Sequence, residues 1–171
     1  MHNQVTRVLV NVVPFLIGGV MTFLGGHLAV WLEHRRSRKS LACAIAGEVA
    51  SILLIIKKRQ YLIRLEQMIA LQSASVEPLQ YKFSVKYNYF EVFQANAGKI
   101  GDLPARFAEP VVSFYTIAKA LLEDANAPKG LLQRDLSLAI LTEQRDLLRE
   151  LIGLGEQIVQ DLTGQLRPHL A

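Results

Sequence analysis

Residues that carry chemistry are scarce in this 171-residue chain. A single cysteine, Cys43, excludes an internal disulfide and any cysteine-based zinc site, and we expect it to be a small buried apolar residue. None of the four histidines pairs with another at the spacing of a helical metal site. Gly98-Lys99 is followed by Ile100, where a phosphate-binding loop has serine or threonine. The sequence predicts no enzyme, no cofactor and no metal.

Formal charge is missing from the 25 residues between Val8 and Leu32, which are bounded by Arg7 and Glu33. As a helix, this run would be about 37 Å long, more than the roughly 30 Å hydrocarbon core of a bilayer. Trp31 stands at its end, where aromatic side chains prefer the interface. The sequence therefore predicts a transmembrane helix over residues 8–32, the lipid bilayer as a partner, and a short external tail over residues 1–7.

A signal peptide or a buried core helix can also contain an apolar run. A cleaved signal peptide needs small residues soon after the apolar core, but Ala44-Ile45-Ala46 and the "SLAC" before Cys43 both follow a basic cluster. A buried core helix of this length would have to be covered by a remainder of only about 135 residues. Neither fits the spacing as well as a membrane helix does.

A basic cluster follows the apolar run and predicts the orientation. It consists of Arg35, Arg36, Arg38 and Lys39. Because positive flanks stay on the cytoplasmic side, we expect the N-terminus outside and residues 33–171 in the cytoplasm, as in a bacterial inner membrane. Residues 34–99 hold eleven Lys/Arg against four Asp/Glu, whereas residues 100–171 hold seven against ten. This asymmetry fits either an anionic surface or two oppositely charged helices that pack together.

Paired glycines recur seven residues apart inside the predicted span, as Gly18, Gly19 and Gly25, Gly26. They lie on nearly the same helix face, where the lack of side chains lets two membrane helices approach closely. Glycine is also simply commoner in membrane helices than in soluble ones. We expect self-association through this face, and we interpret His27 as a residue of the membrane boundary.

The remainder predicts an all-α fold: a cytoplasmic bundle of about three to four helices, with long antiparallel members. Helices are expected near residues 40–72, 89–97, 103–123 and 131–166, the first basic and the last acidic. Glu48 rules out a second span. The expected apolar stripes are Ile45, Val49, Ile52 and Ile56 on the first helix and Ile140, Leu147, Leu151, Leu154 and Ile158 on the last. Leu141, Leu148, Gly155 and Leu162 form a heptad row beside the second stripe.

Residues 79–89 alternate apolar with polar side chains, as a strand does. A strand needs a partner, and no second strand signal exists elsewhere in the sequence. We expect a short extended aromatic segment packed on the helices, with strand pairing between subunits left open.

Three functions follow from these features. The first is a single-pass membrane-anchored interaction or scaffold protein that forms a homo-oligomer or recruits a protein partner at the cytoplasmic membrane face. The alternative is an oligomeric small pore or membrane-disrupting effector with a cytoplasmic sensing bundle, although Thr22 is the one polar lining group that residues 12–26 offer. The third is a reader of anionic lipid or nucleic acid, of which nucleic acid is disfavoured because topology already explains the basic flank.

Overall fold

The computed structural model describes residues 2–74, 89–126 and 138–164, and it describes side chains from Met21 onward. It contains α1 (His2–Lys58), α2 (Tyr61–Ala74), α3 (Glu91–Asn96), a 3₁₀ segment (Ala97–Asp102), α4 (Ala105–Asn126) and α5 (Leu138–Gly164). The part of the chain so described is helical, with no strand. The all-α prediction is confirmed.

The chain divides into two units, residues 1–40 and 41–171. Helix α1 contributes to both. In the first unit every described residue from 21 to 40 is exposed.

The second unit is built around an apolar core that contains no buried polar or charged residue among those described. Its largest fully buried side chains are Phe114, Ile45, Leu141, Leu162, Val49 and Val111. They come from α1, α4 and α5, so these three helices share one core. Burying side chains of this size stabilises the fold by about 1.5–3 kcal/mol each.

Helix α5 packs against both α2 and α4. Two contacts give its direction relative to the first half of the chain. Leu53 of α1 lies beside Gly155, and Glu66 of α2 pairs with Arg149. Leu53 comes before Glu66 in the chain, whereas the residue that Leu53 contacts on α5, Gly155, comes after Arg149. The segment from α1 to α2 therefore runs antiparallel to α5, as predicted.

The helix expected over residues 40–72 is interrupted at Arg59 and Gln60, which separate α1 from α2. Gln60 has a φ of 53°, in the left-handed region that glycine usually occupies. The Gln60 amide still donates to the Lys57 carbonyl at 3.1 Å, which closes the end of α1. Beyond the interruption, α2 contributes a second apolar stripe to the core, with Leu65 and Met68 buried.

The apolar stripes are placed differently in the two long helices. Ile45, Val49, Ile52 and Ile56 are all buried, at 0–9% exposure. In α5 the heptad row through Leu141, Leu148, Gly155 and Leu162 is buried, together with Leu151 and Ile158. Leu147 and Leu154 are only half-buried, and Ile140 is 41% exposed. The inward face of α5 is therefore rotated by about 60° from the predicted stripe towards the heptad row, where the missing side chain of Gly155 leaves room for Phe114 and Leu53.

The structure corrects the prediction for Cys43 and moves several helix boundaries. Cys43 is exposed, not buried, because it lies on the outer side of α1 between the core residues. The predicted helix at 89–97 is α3 followed by 3₁₀ structure. Helix α4 begins at Ala105 and ends at Asn126, close to the predicted 103–123. The extended aromatic segment falls almost wholly on residues 79–88, outside the described residues, as do both ends of the predicted 131–166 helix.

The expected pairing of a basic first helix with an acidic last helix is reversed at the observed ion pair. Arg149 of α5 donates to Glu66 of α2 at 2.6 Å, so here the last helix supplies the base and the first part of the chain the acid. Both side chains are about half exposed, at 53% and 41%, which keeps their attraction weak.

Candidate functional site

An exposed apolar helix surface is the main candidate for function. Seven large apolar side chains between residues 21 and 32 are 41–68% exposed: Met21, Phe23, Leu24, Leu28, Val30, Trp31 and Leu32. The described part of the chain has one helical stretch, Met21–Lys58, that contains an apolar window long enough to cross a membrane. A helix that is apolar on all sides is normally covered by protein or by lipid. Within the part of the chain that the structure describes, every residue from 21 to 40 is exposed.

The glycines of this helix leave open space around them. An added Cβ atom at Gly25 or Gly26 would meet nothing within 4 Å. No other part of the described chain fills the gap that their missing side chains create. Gly18 and Gly19 lie one heptad earlier in α1, in the part for which side chains are not described.

The basic cluster of Arg35, Arg36, Arg38 and Lys39 follows directly, and one of these residues contacts Trp31. The Arg35 guanidinium lies over the Trp31 ring, 5.5 Å from the ring centroid. About two helical turns earlier, the rings of Phe23 and His27 meet edge to face, with centroids 4.7 Å apart. Arg36, Arg38 and Lys39 complete the flank, and all are exposed. Aromatic and basic side chains therefore alternate along this end of the apolar helix.

A second polar site lies in the bundle and centres on the half-buried Glu48 of α1. Its Oε1 atom accepts the Val92 amide at 2.7 Å, and its Oε2 atom accepts the Phe93 amide at 3.0 Å. The Tyr115 hydroxyl of α4 donates to the same Oε2 at 2.5 Å. These two amides lie in the first turn of α3, whose own N-cap residue, Phe90, makes no side-chain cap. Glu48 therefore caps α3 from another helix and ties three elements together.

Aromatic rings pack against the Tyr115 phenol that donates to this carboxylate. Phe93 stacks on Tyr115 with centroids 3.9 Å apart, and Phe90 meets Tyr115 edge to face at 5.6 Å. Burial among these rings, then the hydrogen bond and the charge of Glu48, raise the pKa of Tyr115 far above that of a free tyrosine. The phenol therefore stays protonated and remains a donor to Glu48 throughout the physiological pH range.

Acidic residues of α5 line an open groove of about 760 Å³ at the start of that helix. Its lining residues are Leu138, Ala139, Thr142, Glu143, Asp146, Leu147 and Glu150. Asp146 accepts from Arg145 beside it at 2.9 Å, which is the solvated charge patterning expected of a helix surface. Among the described residues, no group of three histidine, cysteine or carboxylate side chains could hold a metal ion.

The sequence pointed to the first candidate and missed the second. The basic flank and the two later glycines stand out by their spacing, and the structure brings Trp31 and Arg35 together. From the sequence, Glu48 only excludes a second membrane span. A lone carboxylate among buried apolar neighbours was a signal that it has partners inside the fold. The partners are 44 to 67 residues away, so sequence reasoning could not name them.

Comparison with protein-family models, curated proteins and solved structures returns no match for the chain.

Proposed function

We propose that this chain is a single-pass membrane protein whose N-terminal helix anchors a cytoplasmic helical interaction module and self-associates in the bilayer. The observation that carries the proposal is the apolar stretch of α1 between residues 21 and 32, whose large side chains are 41–68% exposed. Covering seven large apolar side chains is worth on the order of 10 kcal/mol. A bilayer supplies that cover, and the helical 8–32 stretch has the length to cross it.

The proposed orientation rests on charge. The basic flank follows the apolar stretch, and the positive-inside rule assigns that side, with residues 33–171, to the cytoplasm of a bacterial cell. Cys43 offers a direct test because it is exposed and is the single cysteine of the chain. A membrane-impermeant maleimide should label Cys43 in inverted inner-membrane vesicles and in detergent, but not in intact spheroplasts. Labelling in intact spheroplasts would overturn the orientation. Recovery of the protein in the soluble fraction after cell lysis would overturn the anchor.

The proposed self-association rests on the bare glycine face. Small residues let two membrane helices gain van der Waals contact, which is the main attraction available between helices in lipid. Isoleucine at Gly18 and Gly25 would hold the backbones apart, while the added apolar groups should leave insertion intact. The bundle would then present its outer surface, including the groove at the start of α5, to a protein partner.

The test is cross-linking in native membranes. The wild-type chain should give discrete homo-oligomers, and Gly18→Ile with Gly25→Ile should shift it towards monomer. The control is Leu16→Ile with Val20→Ile, which places isoleucine at two positions that by helical spacing lie on the opposite side of the same helix. Oligomers that persist in the glycine variant would show that this face is not the interface. A chain that is monomeric and partnerless before any substitution would remove the proposal.

A further inference from the structure

The end of the apolar helix presents aromatic and basic side chains on one face. At 100° per residue, Phe23, His27, Trp31, His34, Arg35 and Arg38 fall within about 120° of one another around α1. All six are exposed, and neighbouring pairs are in contact: Phe23 with His27, and Trp31 with Arg35. Glu33, the acidic residue next to this group, falls on the other side of the helix by the same spacing. The face is therefore positive without a compensating carboxylate.

We propose that this face, which we call the Trp31–Arg38 face, binds the phosphate head group of an anionic phospholipid. The inference rests on the proposed membrane anchor and adds the class of lipid that the anchor selects. The positive-inside rule explains why basic residues are present, but it places no demand on which face they occupy. Here Arg35 and Arg38 share the face of Trp31, and the Arg35 guanidinium is held over its ring, whereas Arg36 falls on the opposite side by the same spacing.

The geometry suits a phosphate at the membrane surface. Trp31 sets the depth, because indole rings settle at the level of the head groups. The cation–π contact holds Arg35 beside that ring while its outer N–H groups stay available, and Arg38 lies one turn further along. A guanidinium presents N–H groups in a planar fork that matches two phosphate oxygens. Two arginines at that depth can therefore hold one head group between them.

The charge of the lipid follows from the same residues. A zwitterionic head group carries a cation that repels the arginines, so its net charge is zero. The head group of an anionic lipid has a net negative charge, which attracts them. Each basic residue near an anionic membrane surface strengthens the attraction to that surface about five-fold, the equivalent of about 1 kcal/mol. Salt should weaken this preference, because these residues are exposed and lie within reach of mobile ions.

Trp31 is the single tryptophan of the chain and is therefore the probe. The full-length protein is reconstituted in phosphatidylcholine vesicles that carry a small, equal fraction of either brominated phosphatidylglycerol or brominated phosphatidylcholine. Bromine quenches indole fluorescence only at short range. We expect the brominated anionic lipid to quench Trp31 several-fold more effectively than the brominated zwitterionic lipid, and we expect the difference to shrink at high salt.

Substitutions then assign the preference to the face. Arg35→Gln with Arg38→Gln should lower the ratio of the two quenching efficiencies several-fold, towards one. The matched control, Lys57→Gln with Lys58→Gln, removes the same charge from exposed positions elsewhere on α1 and should leave the ratio unchanged. Comparing the two lipids within each variant cancels any direct effect of Arg35 on Trp31 emission.

The outcomes separate this inference from the anchor itself. Equal quenching by both lipids places Trp31 in the bilayer and overturns only the lipid preference. Absence of quenching by either lipid overturns the anchor and the inference together. Loss of the preference in the lysine control would assign it to net charge and overturn the Trp31–Arg38 face. Displacement of the lipid by a single-stranded oligonucleotide would identify nucleic acid as the ligand of this face and would also overturn the proposal.

Discussion

Removing the Glu48 carboxylate should loosen the bundle by an amount that the structure lets us work out. Three donors point at this one group: the amides of Val92 and Phe93 and the hydroxyl of Tyr115. A buried donor that loses its partner costs about 1–3 kcal/mol, and less where water reaches it. Because Glu48 is half-buried, we expect Glu48→Ala to lower the free energy of unfolding by about 3 kcal/mol.

Two milder substitutions measure parts of this loss in unfolding free energy separately. Glu48→Gln keeps the shape of the side chain but replaces one oxygen by an amide nitrogen, which donates and so faces a donor. We expect a loss of about 1–2 kcal/mol. Tyr115→Phe removes one donor and leaves the carboxylate with two amides, so we expect a loss of about 1 kcal/mol. Because Glu48 and Tyr115 contact each other, the double variant should lose less than the sum of the two single variants.

The assay is urea unfolding of the full-length protein in one mild detergent, followed by far-ultraviolet circular dichroism. Glu91→Gln is the control, because Glu91 is an exposed carboxylate of the same short helix and should change stability by less than about 0.5 kcal/mol. Hydrogen exchange gives a local readout: the amides of Val92 and Phe93 should exchange faster in Glu48→Ala while those of α5 change less. A Glu48→Ala protein as stable as Glu91→Gln, with unchanged exchange in α3, would refute the reasoning.

Three further predictions concern single interactions. Gln60→Gly should raise the free energy of unfolding by about 0.5–1 kcal/mol in urea melts, because glycine adopts the φ of 53° without strain; a loss of stability would contradict this. Arg149→Ala should cost less than about 1 kcal/mol in the same assay, since its pair with Glu66 is solvated. The pKa of Tyr115 is raised in the folded state, so its contribution is present below the unfolded pKa of about 10 and is lost as pH rises above it. Absorbance at the tyrosinate band should therefore show one phenol that ionises only on alkaline unfolding, and Tyr115→Phe should remove that step.

The helical class and the first apolar stripe were predictable because a repeated spacing encodes them. Ile45, Val49, Ile52 and Ile56 recur every three to four residues, and each is buried. The break at Gln60 was not predictable, because neither glycine nor proline marks it. What favours it is the burial of Leu65 and Met68 on the far side of the break, and that gain depends on helices distant in sequence.

The two candidate sites differ in the same way. The apolar run and its basic flank are contiguous, so the sequence alone located them. The Glu48 cluster joins residues from three helices, and its chemistry appears only when the fold has brought them together. Its position on α1 did indicate a costly group in an apolar stripe, yet the sequence could not say whether water, a ligand or the backbone would satisfy it.

Two glycines of α5 have different surroundings, although nothing in the sequence distinguishes them, and one of them lies on the inward face of the helix. Gly153 and Gly155 both lie in the middle of the helix, where alanine is favoured over glycine by about 0.8–1 kcal/mol. An added Cβ atom at Gly153 would meet nothing within 4 Å, so Gly153→Ala should raise the free energy of unfolding by nearly that amount. At Gly155 the same atom would lie 2.8 Å from the Phe114 ring and 3.0 Å from Leu53.

Because Phe114 is fully buried, its ring has no room to withdraw, and overpacking of this kind costs about 1–3 kcal/mol. Gly155→Ala should therefore lower the free energy of unfolding by about 1 kcal/mol after the helix gain is counted. The two variants should differ by about 2 kcal/mol in paired urea melts, with opposite signs relative to wild type. If Gly155→Ala proves as stable as Gly153→Ala, α5 does not approach α1 and α4 through this glycine, and the buried heptad row is not what sets its rotation.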